Sequence, residues 1–212
     1  MILWTIQSQP GAPALLPGRC EAVLEALRAG DEAERLALLL DPRPLHRALF
    51  GDLAPHGLPE AAGTWRGTPG TPLAEAPRAV FVARTAPGLR RRDLCVPADE
   101  VAPRMTALAQ QTATTWNAAE ATVDGATISE AAALQRLAGF LGEFFAIHPF
   151  LDGNGQLGRL LALLLADRLG LRAEGWTVHR RPYGPTMSLC LQWRAHHPEL
   201  LEDHLRRWFR RG

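Results

Sequence analysis

Lysine is absent from this chain, and every one of its 23 basic residues is an arginine. No P-loop lysine and no Schiff-base lysine can operate here, so a phosphate must be met by arginine, by backbone N–H groups or by a metal ion. Cysteine is scarce as well. Cys20, Cys95 and Cys190 are widely spaced and include no Cys-x-x-Cys pair, which speaks against a disulfide framework and reads as reduced, buried thiols. Neither sign of charge is in excess, with 23 basic against 22 acidic side chains. No nucleic-acid partner and no anionic-membrane surface is therefore expected. The most apolar run, Leu160 to Leu165, stops at Asp167-Arg168, well short of a bilayer span. The start, Met1 to Ile6, lacks the basic region and the apolar core of a signal peptide. These absences point to a cytoplasmic protein, with a secreted effector as the open alternative.

What is present describes one globular domain with a small N-terminal appendage: 212 residues, 47% hydrophobic and 21% charged. Residues 1–19 are rich in proline and glycine and read as a loosely attached arm. Apolar residues at helical spacing follow over 20–29 and 31–40, with Gly30 as a stop and Asp31 as an N-cap. A short helix is expected over 45–50. The glycine- and proline-broken stretch 52–77 reads as an ordered loop, because Trp65 is worth burying. Ala79 to Ala83 and Asp93 to Pro97 are β-prone runs around Pro87-Gly88, which predicts a hairpin. Helices are expected over 101–119, from a Ser129 N-cap to Pro149, and from Gln156 to Leu169 with Gly170 as the stop. A last helix is expected over 185–209 with a basic tail. The class is all-α with one short β-hairpin.

Between the two most apolar helices lies His148-Pro149-Phe150-Leu151-Asp152-Gly153-Asn154-Gly155-Gln156-Leu157-Gly158-Arg159. Gly153, Asn154 and Gly155 feed a helix start, where unpaired N–H groups and the positive end of the dipole converge on an anion. Asn154 can hold the loop by bonding its own backbone or can donate to that anion. Asp152 beside an anion site would repel phosphate unless a divalent cation lies between them, which makes Asp152 a Mg²⁺ ligand. Arg159, one turn along, offers a planar fork for a phosphate oxygen. His148, at the end of the preceding helix, has the pKa range to take a proton from a hydroxyl. Together they describe attack of a hydroxyl on phosphorus. The plainer reading, a tight inter-helix turn with a histidine cap and a surface arginine, leaves the ordered co-occurrence of these residue types unexplained.

This segment resembles the signature of Fic domains, His-x-Phe-x-Asp/Glu-Gly-Asn-Gly-Arg-x-x-Arg, with Gln156 in place of the first arginine. His46 with Phe50, Gly63-Thr64-Trp65-Arg66, the hairpin 79–96 and the following Val96 to Val101 resemble further parts of that family over about residues 43–205. The resemblance implies a boundary between N-terminal arm and helices at 1–42 and a Fic-like catalytic domain at 43–212. It also implies AMP transfer from ATP, or from another NTP, to a Ser, Thr or Tyr hydroxyl of a target protein. His148 would be the base and Asp152 the Mg²⁺ ligand. Gly153, Asn154, Gly155, Gln156, Gly158 and Arg159 would bind the nucleotide, Phe150 would anchor the loop, and the target would lie along the hairpin by strand addition.

Gln156 is the departure. Losing a guanidinium that acts in the transition state would slow transfer by roughly ten- to a hundred-fold. The glutamine could instead suit a different phosphate donor, or mark a weakly active or non-catalytic nucleotide-binding module. The family's self-inhibiting Ser/Thr-x-x-x-Glu-Gly/Asn helix is matched only in part by Thr71 to Ala76, so a separate antitoxin-like partner, or no brake, is expected. Arg84 and Arg90-Arg91-Arg92 read as a solvated turn, or as a rim that recruits an acidic target or holds donor phosphates. His196, His197 and His204 read as surface histidines rather than a metal site. Tyr183 could pack beside a nucleotide base or in the core.

Overall fold

The computed structural model describes residues 4–6, 9–78, 80–86, 89–120, 128–181, 190 and 197–212, with the backbone alone over the hairpin. Three helices come first: α1 (Ala12–Ala29), α2 (Glu32–Leu40) and α3 (Arg43–Phe50). Two 3₁₀ turns and a loop lead to strands β1 (Val80–Ala86) and β2 (Leu89–Leu94). Then come α4 (Ala98–Glu120), α5 (Glu130–Ile147), α6 (Asn154–Arg168), β3 (Leu171–Ala173), α7 (Pro198–Leu205) and β4 (Phe209–Arg211). The protein is mostly helical with an antiparallel hairpin, as its sequence indicates. No helix among the described residues is long and apolar enough to cross a membrane.

Helices α5 and α6 form the centre. Ser129 caps α5 by accepting from the Ala132 N–H at 3.2 Å. Leu134, Leu137, Leu141, Phe144 and Phe145 are buried along it and pack against α4, α6 and α7. On α6, Leu157, Leu160, Leu161, Leu164 and Leu165 are buried. Close approach of the two helices depends on Gly158, where a Cβ would lie 2.7 Å from the Phe145 ring and 3.1 Å from Phe144. An outer tie runs through Arg168 at the end of α6. It pairs with Glu32 of α2 at 2.6 Å and donates to the Trp116 carbonyl of α4 at 3.2 Å.

The N-terminus departs from expectation. Residues 12–19 are helical rather than a loose arm, because Leu16, Cys20 and Leu27 fall on one buried face with Val23 and Leu24 beside it. Pro17, the sixth residue of α1, lies past the first turn and forgoes one helix hydrogen bond, yet the helix continues through it. Ahead of it, Trp4 and Ile6 are buried, and the Trp4 indole N–H donates to the Leu53 carbonyl at 2.9 Å. The C-terminus differs too. Within the span expected as one last helix, Cys190 and Pro198–Leu205 are helical, His197 between them is not, and the basic residues Arg210 and Arg211 belong to β4. That strand pairs antiparallel with β3, Leu171 opposite Arg211 and Ala173 opposite Phe209. In β1–β2, Val80 pairs with Leu94 and Ala83 with Arg91, with a bulge between Arg84 and Ala86.

Trp4→Ala is expected to cost about 3 kcal/mol in urea denaturation, the price of emptying a buried aromatic site. A midpoint unchanged from wild type would restore the loose-arm reading.

Candidate active site

Helix α5 ends on His148, whose φ of 51° and ψ of 62° are left-handed; it is the one non-glycine residue with positive φ among those described. A strained φ at a non-glycine residue persists only where the surroundings impose it, and such residues gather at functional sites. Pro149 and Phe150 are buried next to it. Asn154 closes the turn: its Oδ1 accepts from the Phe150 N–H at 2.9 Å and its Nδ2 donates to the Phe150 carbonyl at 2.8 Å. Of the two roles open to Asn154, the side chain takes that of holding the loop.

Gly153 provides the bend into α6 with φ 79°. A Cβ there would stand 2.5 Å from Phe50 Cε2 and 3.0 Å from His46 Nε2, so glycine is required by space as well as by backbone angle. Behind it, His46 is fully buried and stacked on Phe150 at 3.9 Å between centroids. Its Nδ1 accepts the Gly63 N–H at 3.0 Å, so the proton sits on Nε2 and is donated to the Asp152 carbonyl at 2.9 Å. Desolvation holds His46 neutral, pushing its pKa down to about 4 against a smaller opposing effect of the Asp152 bond.

Beyond Gly153 the first N–H groups of α6, those of Asn154, Gly155 and Gln156, have no acceptor within their own helix. Arg159 reaches back to this end, its Nη1 lying 3.4 Å from where a Gly155 Cβ would be. Its Nε donates to the Val178 carbonyl at 2.8 Å, and its own carbonyl accepts from the Trp176 indole at 3.1 Å. Trp176 in turn packs on Phe209 of β4, so the small C-terminal sheet braces this arginine. Burial, and then the nearby Arg181, push the Arg159 pKa down to about 10. Gln156 is buried in the same turn, and Gly158 faces Phe144 and Phe145. Within the motif, Asn154 ties back to Phe150 and Arg159 reaches back to Gly155.

Asp152 accepts two backbone N–H groups, from Gly153 on Oδ1 and from Ile6 on Oδ2, both at 2.7 Å. Each oxygen keeps a second lone pair. A magnesium ion held mainly by phosphates needs one or two such carboxylates, so Asp152 fits a cation that arrives with its ligand. Among the described residues no three His, Cys, Asp or Glu side chains converge, so these residues offer no cage of protein ligands. His148 is half-buried, and desolvation, with the Arg66 charge adding to it, pushes its pKa down to about 3. It is neutral at pH 7 and can accept a proton.

Two side chains matter more than their sequence neighbourhood suggests. Arg66 is fully buried and donates from Nε to the His148 carbonyl at 2.8 Å. The other is the His46 strut, recognisable in sequence only through the family resemblance. Trp65 is half-buried beneath Arg43, whose guanidinium carbon lies 4.6 Å from its ring centroid. The remaining candidates stay apart from the turn. His197 is exposed and pairs with Glu199 at 3.3 Å, whereas His204 is buried in α7 and not on the surface as expected. Tyr183, His196 and the arginine side chains of the hairpin lie outside the described residues.

The sequence model of the Fic/DOC family matches residues 43–166, more than half of the chain. No curated protein matches it significantly. Among solved structures, BepC, a VirB-translocated effector of Bartonella tribocorum with bound AMPPNP, is 16% identical with a TM-score of 0.55, over 94% of this chain and 89% of that one. The N-terminal Fic domain of a Bep effector from Bartonella quintana is 17% identical with a TM-score of 0.56, over 94% and 84%. At such identities the likeness establishes the fold.

Gly153→Ala is expected to lose about 2–4 kcal/mol, from left-handed strain and overpacking against Phe50. Gly155→Ala, at an ordinary helical position, should stay within about 1 kcal/mol of wild type. Equal urea midpoints for the two variants would contradict this account of the turn.

Proposed function

The chain belongs to the Fic/DOC family, and from that premise we propose that it is a nucleotidyltransferase moving the nucleotidyl group of an NTP, AMP from ATP first among them, onto a hydroxyl of a target protein. The observation that carries this reading is the turn itself. A neutral, left-handed His148, the Asp152 carboxylate, the first N–H groups of α6 and the buried Arg159 guanidinium flank one turn held by Asn154. The AMPPNP bound by the effector from Bartonella tribocorum, which shares this fold, supports a nucleotide as the ligand.

In this reading the α6 N–H groups and Arg159 hold the phosphates by charge-assisted hydrogen bonds. Asp152 would hold Mg²⁺, which when bound neutralises phosphate charge and orients the leaving group. The target hydroxyl oxygen forms a bond to the α-phosphorus, the bond from that phosphorus to the bridging oxygen of pyrophosphate breaks, and a ring nitrogen of His148 takes the hydroxyl proton. The target segment is proposed to lie along the β1–β2 hairpin by backbone pairing, which suits varied sequences. Gln156, standing for the first motif arginine, leaves one fewer cation at the phosphates. A neutral side chain there would slow ATP turnover or suit another donor.

The test is label transfer from a panel of labelled NTPs with Mg²⁺ to proteins of a host lysate, beside His148→Ala. Transfer should fall at least about a hundred-fold in the variant, the usual range for a general base. Equal transfer by both proteins, or none with any donor, would sink the proposal. Gln156→Arg should raise ATP labelling by roughly ten-fold or more if the glutamine only weakens phosphate contact. A change of preferred donor would mean instead that the glutamine selects the nucleotide. The pH profile is a further readout. A histidine whose pKa is lowered stays in its base form as acid is added, so the acid limb of kcat/KM should lie below about pH 5. A limb near pH 6.5, that of a solvated imidazole, would contradict a base held in this environment.

A further inference from the structure

Arg66 is 1% exposed, and its guanidinium meets no carboxylate among the described residues. A buried cation without a counterion is costly, so something in the surroundings must offset it. What surrounds it is a set of carbonyls from separate parts of the chain. Nε donates to His148 at 2.8 Å, and Nη2 donates to Ile147 at 2.9 Å and to Val96 at 3.3 Å. Nη1 makes a longer contact to Pro77 at 3.4 Å. Ile147 and His148 end α5, where the negative end of the helix dipole favours a cation. Pro77 precedes β1 and Val96 follows β2, so they are the two roots of the hairpin. Backbone bonds reinforce the same junction: the Arg66 N–H donates to Pro149 at 2.8 Å and the Val96 N–H to Ala146 at 3.2 Å.

We propose that Arg66 is a positioning residue for the transfer, one that locks the helix end carrying His148 to both roots of the β1–β2 hairpin. The edge along which a hydroxyl-bearing segment would lie and the imidazole that would take its proton are then set by a single side chain. This rests on the transfer reading given above. Capping α5 alone would not need a buried guanidinium, since a left-handed residue at the helix end already performs that task in many helices. The planar fork is what this geometry uses: its donors diverge in one plane and reach three segments at once. A lysine ammonium, compact and strongly hydrated, cannot span them. The nearby cation adds to the desolvation that keeps the resting His148 imidazole neutral.

Two independent readouts test this. In native-state hydrogen exchange of the wild-type protein, the amides of Arg66, Val96 and His148 should open together. In Arg66→Lys, exchange at all three should rise by about ten-fold or more. Opening at one segment without the others, or unchanged exchange in the variant, would overturn the lock. The catalytic part is read as a split. Arg66→Lys should lower kcat about ten- to a hundred-fold while leaving KM for the nucleotide within about two-fold, because the phosphate-holding residues 152–159 make no bond to Arg66. A variant that keeps kcat, or loses only nucleotide KM, would overturn the role. Arg66→Gln, uncharged but still a donor, should not restore kcat; full rescue by it would also contradict the proposal. Should neither variant fold, the wild-type exchange pattern still decides the lock. Absence of transfer by the wild-type protein with every donor would sink the transfer reading itself. Normal wild-type transfer together with an unimpaired Arg66→Lys would sink only the part given to Arg66.

Discussion

Two hydrogen bonds between Asn154 and the backbone of Phe150 close the loop from which the site is made. They hold the end of α5 and the start of α6 within one turn of each other. His148, just before that closure, and Gly153, within it, are both left-handed. Once it is made, Phe150 is pressed under the His46 ring, the Asp152 carbonyl is turned toward His46, and the first N–H groups of α6 have no acceptor within their own helix. Were the Asn154 amide to swing toward a ligand, it would abandon two buried backbone groups, and each unsatisfied group costs about 1–3 kcal/mol. The asparagine's part is therefore to hold the loop.

Charge is distributed around the loop in an unusual way. Two guanidiniums, Arg66 and Arg159, are buried without carboxylate partners among the described residues and are met by carbonyls instead. Both imidazoles nearby are kept neutral, His46 by desolvation and His148 by desolvation with Arg66 adding to it. The only carboxylate in the turn, Asp152, is engaged by backbone N–H groups rather than by a cation of the protein. Such an arrangement carries surplus positive charge beside a set of open N–H donors, which is the complement of a polyanion with a divalent cation. The same surplus keeps the His148 imidazole neutral and at the same time makes it a weaker base.

Where a feature depends on neighbours in sequence, it could be read in advance. The Ser129 cap, the apolar stripes of α5 and α6 and the glycine-rich turn between them depend on spacing and on residues within a few positions. The hairpin followed from two β-prone runs around a Pro-Gly pair. What escaped depends on distant partners. Trp4 and Ile6 look like part of a proline-rich arm until Leu53 and Asp152 are seen beside them. Residues 12–19 belong to the same proline-rich stretch, yet Leu16, Cys20 and Leu27 have a core to face, and the helix runs through Pro17. The β3–β4 pair joins two three-residue runs far apart in sequence, too short for any periodicity. Arg66 carried no local sign of its partners, because backbone carbonyls have no sequence signature. Family resemblance alone drew attention to it and to His46.

The central claim is that this loop binds a nucleotide through its phosphates together with Mg²⁺ on Asp152. Isothermal titration of AMPPNP into the protein, with and without Mg²⁺ and beside Asp152→Ala, tests it directly. The account predicts binding that weakens at least about ten-fold when Mg²⁺ is withheld, and a variant in which Mg²⁺ no longer strengthens binding. Nucleotide binding that ignores both the metal and the loss of the carboxylate would contradict it.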